Sequence, residues 1–182
     1  MNVMEAIRGR RSIRKFKSDD VSEEQVTALL EAARWAPSWA NTQCWRFVVV
    51  RDADTKARIA DALRRGNPAT EGVRTAPVLI VICVQLGKSG FYTGEAATCL
   101  GDWSMFDAGL AMQNLALAAH EMGLGTVHVA LMDIKQIEQI LGVPEGVQVV
   151  ELTPVGYPAE EPRGPGRRDL AELVFRERYG QK

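Results

Sequence analysis

D-A-G-L-A-M-Q-N-L-A-L-A-A-H-E-M-G-L-G-T, running from Asp107 to Thr126, has the spacing of one long helix closed by glycines. Gln113 and His120 are seven residues apart, as are Asn114 and Glu121, so the polar positions fall on one narrow arc. Alanine, leucine and methionine cover the rest, which predicts a helix buried nearly all round. Asp107 is placed to cap the amino end, and Gly123 or Gly125 to take the left-handed conformation that closes the other. A core helix of a compact domain is one reading. A helix shared between the core and a subunit interface is the sharper one, because a chain of 182 residues seldom has core enough to cover a helix on every side.

Composition bounds the rest. With 46% hydrophobic residues the chain fits a single globular domain, 1–182, without a repeat or a low-complexity tract. Lys and Arg number 22 against 23 Asp and Glu, so no overall field exists to hold DNA or an anionic membrane. The three cysteines, Cys44, Cys83 and Cys99, form no C-x-x-C pair and suit a reducing compartment. The amino end lacks a signal-peptide core, and the most apolar run, Pro77 to Val84, is far short of the ~20 residues of a membrane span. A cytoplasmic protein is the expectation.

Outward from the long helix, the chain reads as mixed helices and strands. Short helix Asn2 to Arg8 gives way at Gly9 to R-R-S-I-R, in which Arg10, Ser12 and Arg14 share a side if the segment is extended. That pattern fits an oxyanion site, a solvated basic loop or a nucleic-acid patch. Ser22 and Gln25 form a capping box, with Val21 and Val26 as its hydrophobic staple, and the helix they open must stop before Pro37. The loop A-P-S-W-A-N-T-Q-C-W then leads into a strand from Arg46 to Arg51, and a helix is expected over Asp54 to Arg65. Pro77 to Gln85 lacks alternation, as in a strand covered on both faces at the centre of a sheet. Residues 86–104 dissolve into glycine, threonine and serine with scattered aromatics, the composition of a variable lid or loop. A strand over Thr126 to Leu131, a helix capped by Asp133 and a last strand over Val147 to Val155 precede a proline-broken tail, 159–182, of the kind that wraps a neighbouring subunit.

Several chemistries lack their residues. His120 and His128 are the only histidines, and no cysteine or acidic loop stands at ligand spacing from them. Gly123-Leu124-Gly125 follows a helix and precedes a strand, the reverse of a dinucleotide fingerprint. No G-x-S-x-G elbow occurs. An enzyme built from these residues would rely on a cofactor.

Four motifs in order, R-R-S-I-R, A-P-S-W-A-N-T-Q-C-W, the long helix with its G-L-G-T end, and G-Y-P followed by E-P and an arginine pair, resemble the FMN-dependent nitroreductase family. The resemblance runs from Arg10 to about Val174 and leaves out residues 86–103. It implies an α+β fold with a central, mostly antiparallel sheet flanked by helices, in an intertwined homodimer with FMN at the interface. By position, Arg10, Arg11, Ser12 and Arg14, joined by Arg167 and Arg168, match the segments that grip the FMN phosphate and ribityl chain. Pro37, Ser38, Trp39, Asn41 and Gln43 match the loop laid along the flavin from the partner subunit. Ala130 and Leu131 match the strand end whose backbone amides face the ring near N5. The implied activity is ping-pong transfer of two electrons from NADH or NADPH, through FMN, to an electron-poor acceptor such as a nitroaromatic or quinone, with no catalytic side chain, metal, nucleic acid or membrane. Specialised members that dehalogenate or fragment flavin are the alternative, and a phosphate- or RNA-binding module the more distant one. Where the family usually has proline, this chain has Cys44, either a thiol beside a redox site or a buried structural residue.

Overall fold

The computed structural model describes residues 1–182. The first half of the chain forms α1 (Val3–Gly9), α2 (Glu23–Arg34), β1 (Trp45–Val50), α3 (Ala53–Asp61), α4 (Thr70–Thr75) and β2 (Val78–Gln85). The second forms β3 (Phe91–Tyr92), β4 (Glu95–Ala96), α5 (Ser104–Glu121), β5 (Gly125–Thr126), α6 (Ile134–Leu141), β6 (Val147–Gly156) and α7 (Leu170–Leu173). Every layer rests on β2, which is buried from Val78 to Val84 and pairs antiparallel with β1 on one edge and β6 on the other. Its side chains alternate between two cores. Val78, Ile80, Ile82 and Val84 pack with α2 and α5, while Leu79, Val81 and Cys83 pack with residues of α3, α4 and α6. The sheet order is β1-β2-β6-β5, an antiparallel sheet between helices, and this is the α+β architecture the sequence implied.

Local signals set most helix ends. The capping box opening α2 is complete, with Ser22 Oγ accepting from the Gln25 amide at 3.2 Å and Gln25 Oε1 from the Ser22 amide at 3.0 Å. Asp133 caps α6 through the Gln136 amide, and Gly142 closes it at φ 65°. The helix expected over Asp54 to Arg65 ends at Asp61, because the chain turns out to pair Leu63 with Met132 and to give the Ala62 carbonyl to the Asp133 amide. α4, six residues without a clear apolar period, escaped the sequence reading.

Two expectations are corrected. Asp107 does not cap α5: the helix begins three residues earlier, at Ser104, and Asp107 is buried inside its first turn. At the other end the helix stops at Glu121, Gly123 takes the left-handed conformation at φ 75°, and Gly125 and Thr126 belong to β5. The strand expected from Thr126 to Leu131 breaks after Thr126. Only Val129 still pairs, with Leu152, since His128 turns its Nδ1 to Glu151 Oε1 at 2.7 Å and the Leu131 carbonyl accepts from Arg64 and Asn67.

Within one chain α5 is not covered all round. Asp107, Ala108, Ala111, Met112, Leu115, Ala116 and Ala119 are buried, whereas Met105 and Phe106 stay 69% and 59% exposed. Leu110 and Leu117 lie on the same face as Phe106 and are half-buried. α1 likewise turns Val3, Met4 and Ile7 outward. Residues 86–103 carry the β3–β4 hairpin, closed at its base by the Trp103 amide on the Ser89 carbonyl at 3.0 Å and the Ala97 amide on the Gly90 carbonyl at 2.8 Å. The tail ends in α7, where Leu170 and Leu173 are exposed. No helix is long and apolar enough to cross a membrane.

Because Ile80 has no exposed surface and sits between two packed layers, Ile80→Ala is expected to cost about 2–5 kcal/mol of unfolding free energy. Val49→Ala, at a position 37% exposed on β1, should cost less than about 1 kcal/mol, and denaturant titration compares the two.

Candidate functional site

The two ends of the chain meet in a basic cleft. After α1 the backbone runs extended, with Ser12 bridged to Thr126 and the Ile13 amide on the Thr126 carbonyl at 2.9 Å. The tail returns along it. The Ala159 amide donates to the Lys15 carbonyl at 2.9 Å, and Glu160 Oε1 accepts from the Arg14 and Lys15 amides at 2.8 and 3.2 Å. Arg10, Arg11, Ser12 and Arg14 thereby face Pro162, Arg163, Pro165 and Arg167 across a cleft of about 220 Å³. A second hollow of about 330 Å³ shares Arg10, Arg11 and Pro162 with it and is floored by Gly9, Ile13, His120, Gly123, Leu124 and Thr126.

Geometry and charge make this cleft specific. The Arg11 guanidinium is fixed from behind, Nη1 donating to the Arg8, Gly9 and Arg10 carbonyls at 2.6, 3.1 and 2.9 Å. Gly164 lies against that guanidinium so closely that a Cβ there would meet Arg11 Nε at 2.6 Å. Burial, then the charges of Arg11 and Arg167, lower the Arg10 pKa. Burial and the same field, from Arg10 and Arg11, lower that of His120. None of Arg10, Arg11, Arg14, Arg163 or Arg167 forms a salt bridge, although Glu160 and Glu161 stand at the edge of the adjoining hollow.

Arg163 and His120 were missed in the sequence. Arg163 carries the legible signal of a basic residue in P-R-G-P-G-R-R, while His120 looked like the polar arc of a helix. Arg168 is not among the residues lining the cleft: its Nε lies 3.8 Å from Glu172 Oε2. Ala130 and Leu131 are exposed and line neither hollow, and neither amide donates to a backbone carbonyl.

The loop residues sit elsewhere, at the opposite end of α5. An 18-residue helix spans ~27 Å, with His120 at one end and Asp107 at the other. Pro37, Ser38 and Trp39 line a nearly apolar cleft of about 390 Å³ with Trp103, Phe106, Asp107 and Leu110. Trp39 packs on Trp103 and Tyr92 at ring distances of 5.4 and 6.1 Å. Ala40, Asn41 and Gln43 all take positive φ, 42°, 55° and 46°, a concentration of left-handed backbone that non-glycine residues adopt only under constraint. Ser38 Oγ accepts from the Gln43 amide at 3.0 Å, and Gln43 Nε2 donates to Asn41 Oδ1 at 3.1 Å. Trp39 Nε1 and Thr42 Oγ1 are buried without partners. Cys44 is buried too, and that burial, reinforced by Asp107, pushes its thiol up to about 12. It is a structural, protonated thiol. One chain therefore carries two separate clefts, a basic one and an aromatic one.

The sequence profile of the Nitroreductase family matches residues 7–73 and 65–157. The chain belongs to the nitroreductase family. It is similar to a Methanothermobacter thermautotrophicus protein described as an NADH dehydrogenase/NAD(P)H nitroreductase, 35% identical over 93% of this chain and 83% of that one. It is also similar to the 5,6-dimethylbenzimidazole synthase of Rhodospirillum rubrum, 33% identical over 84% of this chain and 83% of the relative. Among solved structures, a nitroreductase described in complex with FMN from Desulfovibrio desulfuricans superposes with a TM-score of 0.77 and 34% identity, covering 98% of this chain and 99% of the other. In this nitroreductase-family chain the family match covers the amino-terminal arginines and the Pro37–Gln43 loop but ends before the tail arginines.

His120 gives the basic hollow a pH signature. Its folded pKa lies below the ordinary 6.5, so on acidification the unfolded chain takes up the proton first. Stability of the ligand-free protein is expected to fall as pH drops through about 6.5 and below, and His120→Gln should flatten that limb in thermal unfolding scans run between about pH 5 and 8.

Proposed function

We propose that this chain is an NAD(P)H-dependent FMN oxidoreductase working as a homodimer. In each site the basic cleft of one chain holds the flavin phosphate, and the Pro37–Gln43 loop of the other lies along the ring. The observation that carries this reading is the convergence of Arg10, Arg11, Arg14, Arg163 and Arg167, from both ends of the sequence, on one small cleft. A phosphomonoester carries about −1.5 to −2 charges near neutral pH and three acceptor oxygens, which suits several guanidinium forks. Such a ligand would favour the charged form of Arg10, against which burial and then the charges of Arg11 and Arg167 act. Charge-assisted hydrogen bonds to it are about twice as strong as neutral ones. The residues present fit the group.

The dimer is supported by what α5 leaves open. Phe106, Leu110 and Leu117 form an outward apolar stripe, Met105 is exposed beside it, and α1 exposes Val3, Met4 and Ile7 as well. A two-fold contact is isologous, so α5 lying antiparallel on its copy sets the aromatic end of one helix against the basic end of the other. Each pair of half-sites then becomes one whole site, and Leu170 and Leu173 of the tail gain a surface to cover.

Bound FMN supplies hydride and electron transfer between a reduced nicotinamide and an electron-poor acceptor such as a quinone or nitroaromatic. The chain's own residues have quieter tasks. Arginines hold the phosphate and keep the ring in register. The amides of Ala130 and Leu131, which have no backbone acceptor, would be donors available to hold bound FMN and to stabilise negative charge on it. Trp39 and its aromatic neighbours exclude water and give flat substrates a surface. No general acid or base is assigned, because His120, Glu160 and Glu161 line the basic hollow and not the aromatic cleft. Were both substrates to share the aromatic cleft, they would bind in turn, which is the ping-pong order. The likeness to a 5,6-dimethylbenzimidazole synthase favours flavin fragmentation as the second reading, and sustained NAD(P)H oxidation by a quinone separates the two.

The purified protein is expected to be yellow, to release FMN on heating and to lose its colour on rapid mixing with NADH or NADPH. Arg10→Ala should weaken FMN binding about 10- to 100-fold while leaving the thermal stability of the apoprotein nearly unchanged, as read by fluorescence titration and calorimetry. Colourless protein, or equal loss of both properties, overturns the reading.

A further inference from the structure

Asp107 is 1% exposed, and no cation answers its charge within the chain. Three uncharged donors from two distant segments converge on it instead. The Trp39 amide donates to Oδ1 at 3.0 Å, Ser89 Oγ to Oδ2 at 2.7 Å, and Cys44 Sγ lies 3.7 Å from Oδ2. Its place in the first turn of α5 adds the partial positive charge of the helix amino end. A carboxylate with this many donors is a fastening point: Trp39 and Cys44 bracket the loop that holds Ala40, Asn41 and Gln43 at positive φ, and Ser89 begins the segment that carries Tyr92 and Trp103. Left-handed backbone at three non-glycine residues persists only where the surroundings over-determine it. The bonds from Asp107 supply that constraint from outside the loop, where Ser38 and Gln43 supply it from within.

We infer that Asp107 is a positioning residue: its buried carboxylate sets the conformation of the Pro37–Gln43 loop and locks residues 86–103 to it, so that one side chain controls both walls of the aromatic cleft and hence the fit of the electron acceptor. The inference rests on the function proposed above. It separates the acceptor-facing wall from the phosphate cleft, which lies at the far end of α5 and shares no residue with the Asp107 network.

The test uses the FMN-loaded protein, with NADH or NADPH as donor and a benzoquinone as acceptor. Asp107→Asn removes the charge and replaces one acceptor oxygen by an NH2 group, which leaves a single oxygen where the Trp39 amide now reaches both, at 3.0 and 3.2 Å, and Ser89 Oγ reaches one, at 2.7 Å. The quinone KM is expected to rise about 10-fold or more, and the visible circular dichroism of the bound flavin to change, while the FMN dissociation constant, held by the distant arginine cleft, rises by a clearly smaller factor than KM. Ser89→Ala, which leaves the Trp39 bond in place, should move KM and dichroism in the same direction by a smaller factor, and it decides the question if Asp107→Asn does not fold. Unchanged KM and dichroism, or FMN loss in step with KM as general loosening would give, overturns the assignment. An inactive, colourless parent protein overturns the proposed function and this inference together; an active, yellow parent with indifferent variants overturns the Asp107 role alone.

Discussion

Guanidinium groups packed side by side repel one another, and the structure spends its ordering on holding them there. Burial and the charges of Arg11 and Arg167 both act against the charged form of Arg10. Such an arrangement stands only if the backbone beneath it is tied by bonds that do not depend on those charges. Glu160 makes that tie. One of its oxygens accepts from two consecutive amides, at Arg14 and Lys15, and fixes the returning tail against the amino-terminal segment. The Ser12–Thr126 bridge fixes the segment in turn to the end of the sheet. The central strand therefore serves the cleft as well as the core: β2 holds β6, β6 holds β5, and β5 sets the line along which the arginines are strung.

The opposite end of α5 follows the same logic with the sign reversed. There a buried acid is surrounded by neutral donors and no base. The strained loop it fastens sits among Trp39, Tyr92 and Trp103, and the indole nitrogen of Trp39 stays without a partner. An unpaired buried donor beside left-handed backbone is a departure from local rules of the kind that concentrates where ligands are handled. α5 thus separates a charged pole from an aromatic pole, and in the proposed dimer its outward face would be the surface along which unlike poles meet.

Signals that act over three or four residues were legible in the sequence. The Ser22–Gln25 box, the Asp133 cap, the unbroken apolar run of β2 and the extended basic segment from Arg10 to Arg14 all depend on near neighbours. What failed was decided at long range. Asp107 was read as a cap because acids open helices, yet its partners are Trp39 and Ser89, 68 and 18 positions away. The strand after Thr126 breaks because His128 and Leu131 find partners in β6 and in the turn after α3, which no periodicity encodes. The motifs located the arginines of both ends, but only the fold shows that Arg163 stands with them and that Arg168 lies nearer Glu172 than the cleft.

The tail that Glu160 fastens also has a bearing on biosynthesis. All four strands of the main sheet are complete by Gly156, so a nascent polypeptide released just beyond that point already possesses its entire core. Half of the basic wall would still be missing. On the proposed function, anion capture would wait for residues 162–167, and copies ending before them would be folded but empty.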